Sequence, residues 1–267
     1  MDLLSSVILG FVQGLTEFLP VSSTGHLILV SHWLGLGEND AEKAFNVVVQ
    51  GGTVLAVIWN YRALLLEKTR PLLQGHAASW RFWLMLFVAF LPAAVVGLLL
   101  HKTIKAQLFG VQPVLWALLV GGVVMIVVER VLKKREPKIV TDWSSFSFKR
   151  ALGVGLVQCF ALWPGTSRSM STILGGRLMG LGGVQAAEFS FLLSIPTLLA
   201  ATVFDLYKNW ELFAASNLWL QLGVGFLTAY VVALFVIRGF LGFLKRYGLE
   251  PFGWYRILLA VALFYFL

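Results

Sequence analysis

The sequence predicts an all-α integral membrane protein of two inverted-topology repeats, each a re-entrant helical hairpin followed by three transmembrane helices. Three observations predict it. Apolar residues make up 58% of the chain and charged residues only 13%, where a soluble domain carries roughly 25% charge. Six long runs are free or nearly free of charge. The second half of the chain resembles the first.

A bilayer core of about 30 Å takes about 20 apolar residues per helical span. Runs of that order are Ala44 to Tyr61, Phe82 to Leu100, Ala106 to Val128, Phe189 to Phe204 and Leu212 to Ile237. A sixth, Pro251 to Leu267, is interrupted only by Arg256. The net charge of +8 does not indicate nucleic acid, because the basic residues sit in short loops between apolar runs and not on one polar face. The single Cys159 forms no intramolecular disulfide and is read as packing. The N-terminal stretch lacks a basic n-region, and Gln13 and Glu17 interrupt its apolar run, so it is not read as a signal peptide.

Internal symmetry is legible by eye, as in membrane folds built from two halves. A displacement of 144 lays Pro20 on Pro164, Ser23 on Ser167, Phe45 on Phe189, Thr53 on Thr197, Leu55 on Leu199 and Ala56 on Ala200. A displacement of 145 lays Gly10, Val12 and Gln13 on Gly155, Val157 and Gln158, so one residue is gained or lost just before the proline. The chain therefore reads as one membrane domain with repeat 1 over 1–140 and repeat 2 over 141–267.

Each repeat opens with an apolar segment broken by Pro, Gly, Ser and Thr: residues 3–36 around Pro20 to Gly25, and residues 151–180 around Pro164 to Ser167. Arms of about 10 to 15 residues rise only about 15 to 22 Å, so each segment should enter and leave on one side. Three spans follow in each half, and an odd number inverts the second half. Loop charge agrees with this topology: with the loop 62–81 cytoplasmic, 130–150 and 238–250 are too, and together they hold 14 of the 21 basic residues. The first hairpin then dips from outside and the second from the cytoplasm, their tips approaching. Gly51-Gly52 and their counterparts Ile195-Pro196 are expected to make packing room for those tips.

The first tip carries Gln13, Glu17, Ser22, Ser23, Thr24, Gly25 and His26. Gln13 and Glu17, four apart, share one helix face. Pro20 is expected to end the entering arm, and Ser22, Ser23 or Thr24 to cap the next helix. That places a helix N-terminus, with free N–H groups and a favourable dipole for an anion, inside the protein. The second tip, Trp163 to Thr172, repeats the device and adds Arg168, with Ser167, Ser169 and Thr172 as further donors. Arg suits bidentate phosphate binding. At the centre of a span it costs about 3 kcal/mol on insertion scales, which marks it as functional, with phosphate a reasonable partner. Hydroxyls and Pro also kink and cap ordinary membrane helices, but two related copies, one with Glu and His and the other with Arg, favour a site. His32, His76 and His101 lie near predicted boundaries and are read as solvated or interfacial. Glu188, Asp205 and Arg177 are open between structural pairing and function.

On Glu17 to His26 and Pro164 to Ser169, with support from Glu188-Phe189-Ser190-Phe191, the chain resembles the bacitracin-resistance-type undecaprenyl-diphosphatases over nearly its whole length. The resemblance implies hydrolysis of undecaprenyl diphosphate to undecaprenyl phosphate and inorganic phosphate on the outer face of the bacterial cytoplasmic membrane. It also implies a homodimer, dependence on a divalent cation, and central roles for Glu17, Ser23, His26 and Arg168. Gln13 departs from the family, which often carries Glu there, leaving Glu17 as the one acidic group of that arm. Met170 and Ser171 stand where small residues are common, which should alter packing of the second tip.

The expected mechanism has the diphosphate between two helix N-termini, clamped by Arg168 with help from Ser22, Thr24, Gly25, Ser167, Ser169 and Thr172, and attacked by Ser23. His26 or Glu17 could activate Ser23, and spacing does not decide; His26 is favoured. Glu17, with Gln13 nearby, would then orient His26 or hold Mg²⁺ or Ca²⁺. Direct attack by water is the competing mechanism. A polyprenyl-phosphate transporter or flippase fits the same architecture, but binding alone does not require the Ser, His and Glu cluster. The other class of membrane lipid phosphatases is disfavoured by motif order, since Arg70-Pro71 follows Gly25-His26 and no His follows Arg168.

Overall fold

The structure, a computed structural model, describes residues 1–36, 40–74, 77–108, 110–135, 146–215 and 218–266. Its described residues form α-helices, short 3₁₀ turns and connecting loops, without a strand. The first half runs α1 (Leu3–Thr16), α2 (Ser23–Trp33), α3 (Asp40–Asn60), a short α4 (Arg62–Thr69), α5 (Ala77–Leu108) and α6 (Val111–Arg135). The second half has α7 (Phe148–Gln158), α8 (Arg168–Leu178), α9 (Gly183–Lys208), a short α10 (Trp210–Ala215), α11 (Trp219–Tyr247) and α12 (Glu250–Phe266). The same order of long and short elements thus occurs twice. His76 and part of the basic 130–150 loop lie outside the described residues.

Among the described residues, α5, α6, α9 and α11 contain stretches long and apolar enough to cross a bilayer: Trp80–Leu100, Val111–Lys133, Gly183–Lys208 and Trp219–Tyr247. The protein is a multi-pass membrane protein. The remaining two expected spans are shorter, since the apolar part of α3 is Ala44–Asn60 and α12 has 17 residues. Two expected boundaries are corrected. Ala106 belongs to the end of α5, and Leu212 to α10, because apolar character continues across both helix breaks and hides them.

Side-chain placement follows membrane logic. On α1 the apolar Leu4, Val7 and Phe11 are exposed, whereas Ser5, Ser6, Gly10, Gln13 and Gly14 are buried. Lipid is as apolar as Leu, so helices associate through small and polar faces. α1 packs on α11, and its counterpart in element order, α7, packs on α5. Glycine lets the backbones approach at each crossing, Gly10 and Gly14, with Gly225 opposite Gly10, at the first and Gly155 at the second. A Cβ on Gly10 would stand 2.4 Å from the carbonyl oxygen of Gly225, and one on Gly155 would stand 2.5 Å from that of Ala89. Gly51 and Gly52 work differently from the expectation. They admit α9 and α11, through Thr202 and Phe226, and not the hairpin tips.

α1 is capped by Asp2, whose carboxylate accepts from the Ser5 amide at 2.8 Å. The helix ends at Thr16, ahead of Pro20, and residues 17–21 form successive turns. The proline constrains the residue before it as well as itself. In the second hairpin α7 gives way to a 3₁₀ turn, Cys159–Leu162, and Trp163 is extended ahead of Pro164. Ser22 and Ser167 then begin α2 and α8 with φ of 72° and 78°. Only a few per cent of non-glycine residues adopt positive φ. Sharing that conformation, Ser22 matches Ser167, so Ser23 matches Arg168; the earlier pairing of Ser23 with Ser167 shifts by one residue at the tip.

Candidate active site

Both broken segments bring their tips into direct contact. Ser169 Oγ, on the second, donates to the Leu19 carbonyl on the first at 2.8 Å. Arg168 donates through a terminal nitrogen to Glu17 Oε1 at 2.7 Å, an ion pair whose side chains are only 12% and 4% exposed. Glu17 also accepts on Oε2 from Ser23 Oγ at 2.7 Å and from Gln13 Nε2 at 2.9 Å. One buried carboxylate therefore joins a hydroxyl, an amide and a guanidinium from two distant stretches of chain. Glu17 reaches Ser23 because it caps the C-terminus of α1 in helical conformation while Ser23 opens α2, and the intervening turns fold one end toward the other.

The capping serines define the anion-facing ends. Ser22 Oγ accepts from the Gly25 amide at 3.3 Å, and Ser167 Oγ from the Met170 amide at 3.2 Å. The first intrahelical bonds are His26 N to Ser22 O and Ser171 N to Ser167 O. The Ser23, Thr24, Arg168 and Ser169 amides consequently have no acceptor within their own helices. Of the expected diphosphate ligands, Ser22, Gly25 and Ser167 are thus engaged in capping. Thr24 is half-buried beside Ser23. Thr172 is buried, donating to the Arg168 carbonyl at 2.9 Å and sharing a 2.6 Å hydrogen bond with Ser190 Oγ. Ser190 O also accepts from Arg168 at 3.1 Å. Met170 is packed inside and Ser171 donates to Ser167 O at 3.0 Å, so both departures stabilise the second tip from within.

His26 is turned away from the role first expected of it. Its Nδ1 lies 2.8 Å from the Ser22 carbonyl and its Nε2 lies 2.7 Å from the Tyr255 hydroxyl. The carbonyl can only accept, so Nδ1 carries the proton and the tyrosine donates to Nε2. The Tyr255 and His26 rings also stack, with centroids 5.8 Å apart. The group that accepts from Ser23 is Glu17, not His26.

Two buried polar atoms at the site lack a partner, Gln13 Oε1 and Arg168 Nε. The first can only accept and the second can only donate, which leaves room for a ligand bearing both kinds of group. Among the described residues, no group of three or more His, Cys, Asp and Glu side chains converges to hold a metal. The donors for Mg²⁺ or Ca²⁺ are one carboxylate already paired with a guanidinium and one amide oxygen, whereas such ions take six or more oxygens. These residues therefore do not hold a cation unaided; most of its ligands would come from phosphate oxygens and water.

Other candidates fall elsewhere. Arg177 pairs with Glu129 at 3.6 Å, both side chains nearly buried, and His32 is exposed. Glu188 is half-buried on α9. Sequence reading assigned no role to Tyr255, Ser190 or Arg256, although the last stands out as a lone charge in an otherwise apolar run.

The family model described as bacitracin resistance protein BacA matches residues 6–262. The chain belongs to this family. Relatives named undecaprenyl-diphosphatase share 54% identity in Sorangium cellulosum over 96% of this chain and 83% of the relative, and 46% in Wolinella succinogenes over 100% and 99%. A third, in Persephonella marina, is 48% identical over 97% of both chains. Membership thus spans both hairpins and the cluster around Glu17.

Proposed function

We propose that this chain hydrolyses undecaprenyl diphosphate to undecaprenyl phosphate and inorganic phosphate, recycling the lipid carrier for peptidoglycan synthesis and conferring bacitracin resistance. The observation that carries the mechanism is Glu17 bonded at once to Ser23 and to Arg168. The diphosphate lies between the N-termini of α2 and α8, where free amides and Arg168 Nε meet its oxygens. Ser23 Oγ attacks the terminal phosphorus and its proton passes to Glu17 Oε2. The bond from that phosphorus to the bridging oxygen breaks, and undecaprenyl phosphate leaves with the electron pair. Water then cleaves the phosphoserine, restoring the Ser23 hydroxyl and releasing phosphate. His26, braced by Tyr255, orients the first tip through Ser22. Glu17 and Gln13 would hold a divalent cation, Mg²⁺ or Ca²⁺, only together with phosphate oxygens and water, and such an ion when bound would offset charge on the phosphate oxygens.

The recurring element order and the matched serine caps support two inverted repeats, 1–140 and 141–267, with re-entrant hairpins dipping from opposite faces. Loop charge supports cytoplasmic placement of 62–81, 130–150 and 238–250, with the site open to the outer side of the cytoplasmic membrane. Cysteine labelling at position 208 but not 134 from outside is the expected result. The family resemblance supports a homodimer, which light scattering in detergent tests. The flippase alternative finds no support in the relatives, which are named as phosphatases.

The deciding experiment follows phosphate release from undecaprenyl diphosphate by purified protein, beside Ser23→Ala and Arg168→Ala, with and without chelator. Collapse in both variants is expected, with ³²P from a terminally labelled substrate trapped on Ser23. Full activity in Ser23→Ala would remove its role as nucleophile, and activity undiminished by chelator would remove the cation.

A further inference from the structure

Arg256, on α12, is fully buried. Its Nε donates to Leu118 O at 3.3 Å, one terminal nitrogen to Pro20 O at 3.3 Å and Thr166 O at 3.1 Å, and the other to Ala117 O and Gly165 O, both at 2.9 Å. A guanidinium has five N–H donors, and all five here meet backbone carbonyls. Two of these carbonyls lie on α6, one on the first tip and two on the second. No carboxylate pairs with it among the described residues. A charge placed at this depth without an anionic partner marks a functional group.

Ala117 and Leu118 lie inside α6, but the three tip carbonyls have no helix of their own to satisfy them. Pro20, Gly165 and Thr166 stand where the backbone has left one helix and not yet begun the next. Because a trans peptide is planar, fixing these carbonyls also fixes the amides of Val21, Thr166 and Ser167, and with them the two positive-φ serines that start α2 and α8. Gly121 of α6 gives the guanidinium its room: a Cβ there would stand 2.3 Å from one of its terminal nitrogens.

We propose that Arg256 is a positioning residue that clamps both hairpin tips at the separation where Ser23, Glu17 and Arg168 meet. It touches none of the reacting groups and acts through the peptide planes on either side of them. Its catalytic consequence rests on the phosphatase reading above; its mechanical consequence does not.

The test compares wild type with Arg256→Met, Arg256→Lys and Gly121→Ala, each purified at full length in detergent. Gly121→Ala keeps the charge but displaces the fork, and so tests the clamp should Arg256→Met not fold. Steady-state phosphate release from undecaprenyl diphosphate should show kcat reduced on the order of 100-fold in Arg256→Met, the scale of an ångström-sized misplacement, with KM little changed. Arg256→Lys, with three donors on a point charge, should not restore it. Hydrogen exchange read by mass spectrometry should rise together in peptides covering 17–25 and 163–171, leaving α5 and α9 as in wild type. Unchanged tip exchange, a uniform rise along the chain, or full kcat in Arg256→Lys would each overturn the clamp. If wild type itself releases no phosphate, the phosphatase reading falls, and the exchange pattern alone decides the clamp.

Discussion

Replacing Glu17 by Gln preserves the shape of the side chain and removes its charge, leaving Arg168 buried beside a neutral amide. With the two side chains 4% and 12% exposed, solvent screens this pair little. Breaking a buried ion pair by removing one partner costs about 3–5 kcal/mol. Gln still accepts one hydrogen bond and Arg168 keeps its 3.1 Å contact with Ser190 O, so the lower end, about 3 kcal/mol, applies. At about 2–4 °C per kcal/mol for chains approaching this size, the unfolding midpoint should fall by about 6–12 °C. Arg168→Met should also destabilise, by leaving the carboxylate to Gln13 and Ser23. The double variant removes both orphaned charges, so its loss should be smaller than the sum of the singles by about 0.5–3 kcal/mol. The ten tryptophans give an intrinsic fluorescence signal for following the three variants in detergent. Additive midpoint losses would show that the two tips are not coupled through this pair, and the mechanism built on Glu17 would lose its foundation.

Activity in Glu17→Gln should fall about 10²–10⁴-fold, the usual contribution of a positioned base, measured as kcat for phosphate release; retention of activity would return the proton to another acceptor. Tyr255→Phe removes the hydroxyl 2.7 Å from His26 Nε2 and should lower kcat/KM by no more than about tenfold, the scale of one neutral hydrogen bond. A larger fall would make the tyrosine part of the chemistry. Gly155→Ala drives a methyl toward the Ala89 carbonyl, 2.5 Å away, and should destabilise by about 1–3 kcal/mol in a thermal unfolding scan. An unchanged midpoint would show that α7 and α5 separate freely.

What the sequence disclosed, and what it withheld, follow from the range of the interactions concerned. Pro20, Pro164 and the serines beside them act on their own backbone, so the interruption of both hairpins was visible in one dimension. The meeting of the tips was inferable from topology, but the identity of the bonded groups was not. His26, three residues from Ser23 on α2, looked nearer than Glu17, six residues back across a turn; the turn reversed that order. Helix limits suffered where apolar residues run through a break, as at Ala106 and Leu212. Arg256 was visible as a charge inside a span, yet its partners are main-chain oxygens, which leave no trace in side-chain composition. The glycines of α3 showed that something packs closely, without showing that it is α9 and α11.

The place of Arg256 in chain order has a consequence for biogenesis. Glu17, Ser23 and Arg168 all leave the ribosome before α12 does, so the catalytic groups enter the membrane while three of the tip carbonyls still lack their donor. A nascent chain halted before α12 would contain every reacting side chain and still be a poor catalyst. On the proposed mechanism, completion of the site is thereby tied to insertion of α12.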